Sequence, residues 1–96
     1  MTIKNIQKRT GQIVPFDAEK IADAIRKANL ESIDETFSRH QLEKLTKSVI
    51  HCIEGEETPA VEFIQDAVEK ALIKNNFAST AKAYILYRAE HAKIRD

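Results

Sequence analysis

Cysteine is all but missing from this 96-residue chain, Cys52 standing alone. One thiol cannot close an internal disulfide and offers no zinc framework, which points weakly to a reducing compartment. Charge of one sign is missing too: fifteen basic residues face fifteen acidic ones, for a formal net charge of zero. That argues against a sequence-independent nucleic-acid binder, whose affinity comes largely from excess Lys and Arg, and leaves room for a locally basic site. No apolar run approaches the length of a membrane span, and the N-terminus lacks the continuous apolar core of a signal peptide. A cytoplasmic protein with no membrane partner is expected. With two glycines and two prolines, no linker, low-complexity segment or internal repeat is visible. The length suits one domain over residues 1–96, able to bury one core but not a catalytic barrel with a cofactor site.

Catalytic constellations are missing as well. His40 and His51 share a face of one predicted helix, but eleven residues of helical rise put them about 16 Å apart, too far to share a metal. His51 and Cys52 are adjacent, so on a helix they point about 100° apart and form no nucleophile and base pair. Glu54, Glu56 and Glu57 have no apolar surroundings and read as a solvated loop. The chain contains no GxxxxGK[ST] loop, so binding of a nucleotide would not imply its hydrolysis.

What is present begins with IQKRTGQIVPFDAEKI, residues 6–21. Ile3 to Lys8 alternates apolar and polar side chains, Arg9-Thr10-Gly11-Gln12 supplies a turn, and Ile13 to Phe16 resumes the apolar run, which predicts a β-hairpin. Pro15 cannot donate a ladder hydrogen bond, so the second strand should be an edge or be ending there. Asp17 is placed to cap a helix from about Ala18, with Phe16 and Ile21 at the spacing of a hydrophobic staple. Lys20 then falls in the first turn, where a cation opposes the helix dipole unless an anion is near. Fixed positive charge on a turn before a capped helix suits an anionic ligand such as a phosphate.

The remainder is helical in pattern. Ile21, Ala24, Ile25 and Ala28 form one apolar face that fades at Asn29, and residues 30–37 read as a loop. Ser38 and Gln41 form a capping-box signature, followed by the stripe Leu42, Leu45, Val49 and Ile53, which Gly55 stops. A third helix carries Val61, Ile64, Val68 and Leu72. It can open with Thr58 as N-cap and Pro59 at its first position. Asn75-Asn76 ends it. A fourth helix starts at Ser79 or a neighbour, and from Ala81 to Tyr87 it is apolar on nearly every side apart from Lys82, a pattern expected in the middle of a bundle.

Three separated blocks together resemble the ATP-cone domain, the nucleotide-sensing module of many ribonucleotide reductases and of a bacterial repressor of their genes. They are Lys8-Arg9, Gly11, Val14 to Asp17 and Glu19 to Ile21; then Ile64-Gln65-Asp66; then Ala81 to Arg88. The resemblance covers about Ile3 to Arg95, and the order and spacing of the blocks make it specific. It also allows a second opening for the third helix, nearer Val61 after a short extra strand around Thr58, and the two openings are not separated locally. Thr10 departs from the acidic residue usual there, which touches the turn more than the ligand.

The resemblance implies an α+β, mostly helical fold in which a small N-terminal sheet caps a four-helix bundle, and a site for ATP or dATP, with Mg2+ as an accompanying ion, between the cap and the helix ends. Carried over by position, Lys8, Arg9 and the Gly11 turn would meet the phosphates and Lys20 would add charge there. Val14 and Phe16 would wall the base, while Gln65, Lys82, Tyr87 and Arg88 would approach the nucleotide. A triphosphate carries about four negative charges, so several convergent cations are needed, and guanidinium offers a fork for paired oxygens. Without the resemblance the same residues read as a solvated turn (Lys8, Arg9), an exposed charge (Lys20), core aromatics (Tyr84, Tyr87) and a salt bridge at the bundle edge (Arg88).

The function implied is allosteric and non-catalytic: control of a ribonucleotide reductase catalytic domain or subunit through nucleotide-dependent change of conformation or oligomeric state, with homo-oligomers among the partners. Two alternatives are a protein-interaction module of the same fold without nucleotide binding and part of a nucleotide-sensing repressor. The second would require a zinc ribbon before the hairpin. The chain's end at Ile94-Arg95-Asp96, where the resemblance ends, suggests a domain cut from a larger reductase.

Overall fold

The computed structural model describes residues 3–95, with side chains through His91. Met1, Thr2 and Asp96, part of the expected 1–96 unit, lie outside the described residues. Two strands, β1 (Asn5–Gln7) and β2 (Ile13–Pro15), precede four helices: α1 (Ala18–Glu31), α2 (Arg39–Ile53), α3 (Val61–Lys74) and α4 (Ala78–Arg95). This is the α+β, mostly helical class that the sequence predicts.

The hairpin forms where its pattern places it. The strands pair antiparallel, with Asn5 opposite Pro15, Ile6 opposite Val14 and Gln7 opposite Ile13. Ile6 and Val14, the alternate positions, are the half-buried ones. The turn closes through Lys8 N–H to the Gln12 carbonyl at 2.8 Å and Gly11 N–H to the Lys8 carbonyl at 2.9 Å. Gly11 has φ +89°, a conformation that a side chain would strain. Pro15 sits on an outer edge, where no donor is required of it.

Asp17 caps α1 by accepting from Glu19 N–H at 3.0 Å, and Ile21 is buried beneath Phe16's half of the staple. The Ser38–Gln41 capping box is complete in both directions. The α3–α4 corner is a Schellman turn: Asn76 takes φ 64°, its N–H reaches the Ile73 carbonyl and the Phe77 N–H reaches the Leu72 carbonyl.

Helix α1 packs against α2 and α4, and α3 packs against the same two helices. Between them lies one core, in which Ile25, Val49, Ile53, Val68 and Leu72 are almost entirely buried. Two expectations need correction. First, α4 is not central: it touches α1 and α3 only along one side, while Ile85 and Leu86 face outward. A four-membered ring of helices has no middle position, so apolarity on every side cannot all be buried. Second, Thr58 and Pro59 do not open α3. The helix starts at Val61 with Ala60 as an N-cap that supplies no side-chain bond. Gln7 donates its N–H to the buried Pro59's carbonyl at 3.0 Å, and Gln7 and Ala60 form a single parallel bridge. The open edge of β1 draws this segment into extended backbone. Of the two openings, the later one, which the resemblance allows, holds, with the extra strand reduced to one bridge.

A polar joint ties α4 to α1. Asn29, buried at the end of α1, donates to the Glu35 carbonyl and to Thr80 Oγ1, both at 3.1 Å, and accepts from Phe37 N–H at 2.9 Å. The Glu35 carboxylate accepts from Thr80 N–H at 2.8 Å, Thr80 Oγ1 at 2.6 Å and Ser79 N–H at 3.3 Å. A carboxylate from the α1–α2 loop thus caps the N-terminus of α4, where unsatisfied amides and the helix dipole favour negative charge. Desolvation pushes the Glu35 carboxyl upward, but these three hydrogen bonds outweigh it and hold it below its ordinary value.

Asn29→Ala would remove three hydrogen bonds from this joint and leave the Phe37 N–H without its partner; it is expected to cost about 2–4 kcal/mol, read as a lower midpoint in urea denaturation. Glu35, with its folded value depressed, contributes stability that is present above the ordinary carboxylate range and lost as pH falls through the folded value. Stability measured from pH 6 down to 3 should therefore fall less steeply in Glu35→Gln than in the wild type.

Candidate nucleotide site

The hairpin does not lie flat on the bundle. Between it and the helices is a cavity of about 500 Å3, within the range of small-molecule sites. Three cations line it: Lys8 and Arg9 from the hairpin turn and Lys20 from the first turn of α1. Each has a local cause. The glycine turn holds Lys8 and Arg9 at the hairpin tip, and the Asp17 cap fixes where α1, and hence Lys20, begins. Apolar walls come from Ile6, Val14 and Phe16 of the hairpin, Ile21 and Ala24 of α1, and Ile64 and Val68 of α3. Asp17 is the one carboxylate among the lining residues.

Arg9 is held in place. One terminal nitrogen, Nη1, donates to Glu62 Oε1 at 3.1 Å, and Nη2 donates to Gln65 Oε1 at 3.0 Å. Among the described residues Lys8 and Lys20 have no carboxylate within ion-pair distance. On the far side α4 presents an aromatic ladder, Tyr84 to Tyr87 at 6.1 Å between ring centroids and Tyr87 to His91 at 4.2 Å. All three rings line the cavity. Burial pushes the Tyr84 phenol well above its ordinary value.

Seven of the ten residues singled out from the sequence thus meet round one cavity: Lys8, Arg9, Val14, Phe16, Lys20, Gln65 and Tyr87. Three do not. Gly11 shapes the turn without lining the cavity. Lys82 lines a second cavity of about 660 Å3 between α1 and α4, with Lys27, Leu30, Ile33 and Leu86. Arg88 is bound at the bundle edge, its Nη1 donating to Asp66 at 2.9 Å and Glu69 at 2.7 Å. Desolvation works against its charge, but these carboxylates outweigh it and raise its value. The plain salt-bridge reading is the one its contacts fit.

The sequence reading missed Asp17 as a lining group and His91 altogether, and took Tyr84 for a core residue only. The signal for the last two was there: 84, 87 and 91 are spaced three and four apart, one helix face. Among the described residues no group of three or more His, Cys, Asp or Glu is placed to hold a metal ion, and no helix is long and apolar enough to cross a membrane.

A hairpin cap over four helices, with three cations and apolar walls around a cavity of this size, is an arrangement suited to a small anionic ligand. The chain belongs to the ATP cone domain family, whose model matches residues 4–93. It is 39% identical over 99 residues to a vitamin B12-dependent ribonucleoside-diphosphate reductase of Thermoplasma acidophilum, covering 98% of this chain and 13% of that protein. It is 32% identical over 102 residues to a ribonucleoside-diphosphate reductase subunit alpha of Chlamydia muridarum, covering 96% of this chain and 10% of that one. A vitamin B12-dependent ribonucleoside-diphosphate reductase of Mycobacterium tuberculosis is 31% identical over 91 residues, 94% of this chain and 13% of that protein. The chain therefore spans only about a tenth of the length of these relatives.

Because Arg88 is engaged away from the cavity, Arg88→Ala is expected to cost about 1–2 kcal/mol of stability, while any affinity of the cavity for ATP, measured by calorimetry, stays within about twofold of the wild type, a change of no more than roughly 0.4 kcal/mol.

Proposed function

We propose that this domain binds ATP or dATP in the cavity under the hairpin and serves as a non-catalytic, cytoplasmic regulator of ribonucleotide reductase. The observation that carries the reading is the convergence of Lys8, Arg9 and Lys20 on one cavity whose other walls are apolar and aromatic. Polyphosphate needs the cations, and a purine needs the walls. Lys8, Arg9 and Lys20 would hold the phosphates, with Gln65 reaching the ligand beside Arg9. Val14, Phe16 and the Tyr84–Tyr87–His91 ladder would enclose the base and sugar. Lacking a protein cage of carboxylates among the described residues, Mg2+ would arrive held by the phosphates and water, its usual mode in nucleotide sites.

The 96 residues would act as one unit, and the message would leave through a face of the bundle. The surface between α1 and α4 is suited to passing it on, since Leu30 is 72% exposed, Ile33 98% and Leu86 60%, beside the second cavity. Such a patch fits contact with the reductase catalytic region or with another copy. It is also what supports the second reading, an interaction module that does not bind nucleotide. ATP and dATP differ by one ribose hydroxyl, so any opposite effects must come from how the site treats that group. A hundredfold preference would supply about 2.7 kcal/mol to the conformational equilibrium and no more.

Titration calorimetry with ATP, dATP and GTP checks the reading: heat with at least one adenine nucleotide in the micromolar to low millimolar range is expected, and its absence for both would refute it. Saturating ATP, at about a hundred times its dissociation constant, should stabilise the domain by about 2.7 kcal/mol. Replacing Lys8 and Arg9 together by alanine should abolish that gain, whereas the interaction-module reading leaves thermal stability insensitive to ATP in both proteins.

A further inference from the structure

Glu62 stands at the rim of the cavity and carries out none of the roles assigned so far. We infer that Glu62 competes with the anionic ligand for the Arg9 guanidinium, so that binding a polyphosphate and breaking the Arg9–Glu62 ion pair are one event. The inference rests on the nucleotide reading and concerns how the same site is regulated.

Of the three cations in the cavity, Arg9 alone has a carboxylate partner among the described residues. The pair is uneven: the Arg9 side chain is 24% exposed and Glu62 61%. The guanidinium is thus the enclosed member, turned toward α3 by Glu62 and Gln65 together, with its charge balanced before any ligand arrives. Gripping paired phosphate oxygens with both terminal nitrogens sets a more highly charged acceptor at the nitrogen that serves Glu62, and the two anions repel, so a phosphate that takes the fork displaces the carboxylate. Gln65, which lines the cavity where Glu62 does not, can keep its bond to Arg9 or follow it.

Glu62 has somewhere to go. It lies in the first turn of α3, whose N-cap Ala60 supplies no side-chain acceptor, so the helix's own positive end favours the released carboxylate. Exchange between Arg9 and that helix end is a low-cost switch. It also changes the joint between cap and bundle. The Arg9–Glu62 pair links residues 53 apart in the chain, and once it opens, that edge of the hairpin is held to the α3 segment by the Gln7 N–H to Pro59 carbonyl bond. Ligand charge is thereby registered at the start of α3, which packs on both α2 and α4.

Calorimetric titration of ATP in EDTA into the wild type, Glu62→Gln, Arg9→Ala and the double variant tests this. Glu62→Gln should bind ATP about two- to fivefold tighter, the range a partly exposed ion pair supplies, and should give no gain in the Arg9→Ala background. Equal or weaker binding by Glu62→Gln would show that Glu62 merely positions Arg9, and an equal gain without Arg9 would reduce the effect to background charge; either result overturns the inference. Inorganic tripolyphosphate, titrated into the same four proteins, separates it from the nucleotide reading. If ATP fails to bind and tripolyphosphate shows the expected pattern, the competition stands and the nucleotide reading falls. If neither ligand binds the wild type or Glu62→Gln, both fall.

Discussion

The capping of α4 by Glu35 is the interaction on which the geometry of the site depends. Helix α4 carries Tyr84, Tyr87 and His91 to the cavity, and their positions follow from where that helix begins and how it lies on α1. Its first amides meet a carboxylate from the α1–α2 loop, and Asn29 locks that loop by using both faces of its amide. Thr80 is fully buried at the centre of this joint, with its hydroxyl and N–H both bonded. A buried polar group left without a partner costs more than a satisfied one contributes. The joint therefore admits one arrangement of α4, and the aromatic wall of the site inherits it.

On the opposite side of the cavity the constraint is looser in kind. The hairpin meets the bundle through Ile3, Ile6 and Phe16, through one backbone bond to Pro59 and through the Arg9 ion pair and hydrogen bond to α3. Charge is thus used differently at the two ends of the molecule. At Glu35 it is taken up by three hydrogen bonds and serves to fix a helix. At Arg9 it is partly exposed and borders a cavity, where a competing anion can reach it. Tyr87 and His91 line both cavities, so a shift of those rings moves a wall of each. The cationic end, the aromatic wall and the apolar α1–α4 face are consequently mechanically contiguous.

Local features were legible in the sequence because their causes are local. The glycine turn, the Asp17 cap, the Ser38–Gln41 capping box and the Asn75-Asn76 break each depend on residues a few positions apart, and each forms where its pattern puts it. The start of α3 was not legible. Thr58-Pro59 carries a good helix-opening signature, but the open edge of β1, some fifty residues earlier, takes that backbone into a bridge instead. The position of α4 failed for a related reason. Its composition announces burial on all sides, while the packing of four helices in a ring leaves one side open, whatever the sequence.

The residues of the site divide in the same way. The sequence alone determined the class of fold, the family, the place of Lys8 and Arg9 on a glycine turn and that of Lys20 in a capped first turn, because each of those placements depends on residues a few positions away; their meeting round one cavity needed the packing of the hairpin over the helices. Only the tertiary structure decided that Arg88 belongs to an ion pair with Asp66 and Glu69, that Lys82 faces the second cavity, that His91 joins the first, and that Glu62 holds Arg9. Each of those assignments depends on which side of α3 or α4 faces which neighbour. That is fixed by long-range packing and by the buried Asn29–Glu35–Thr80 joint, and helical periodicity by itself leaves it open.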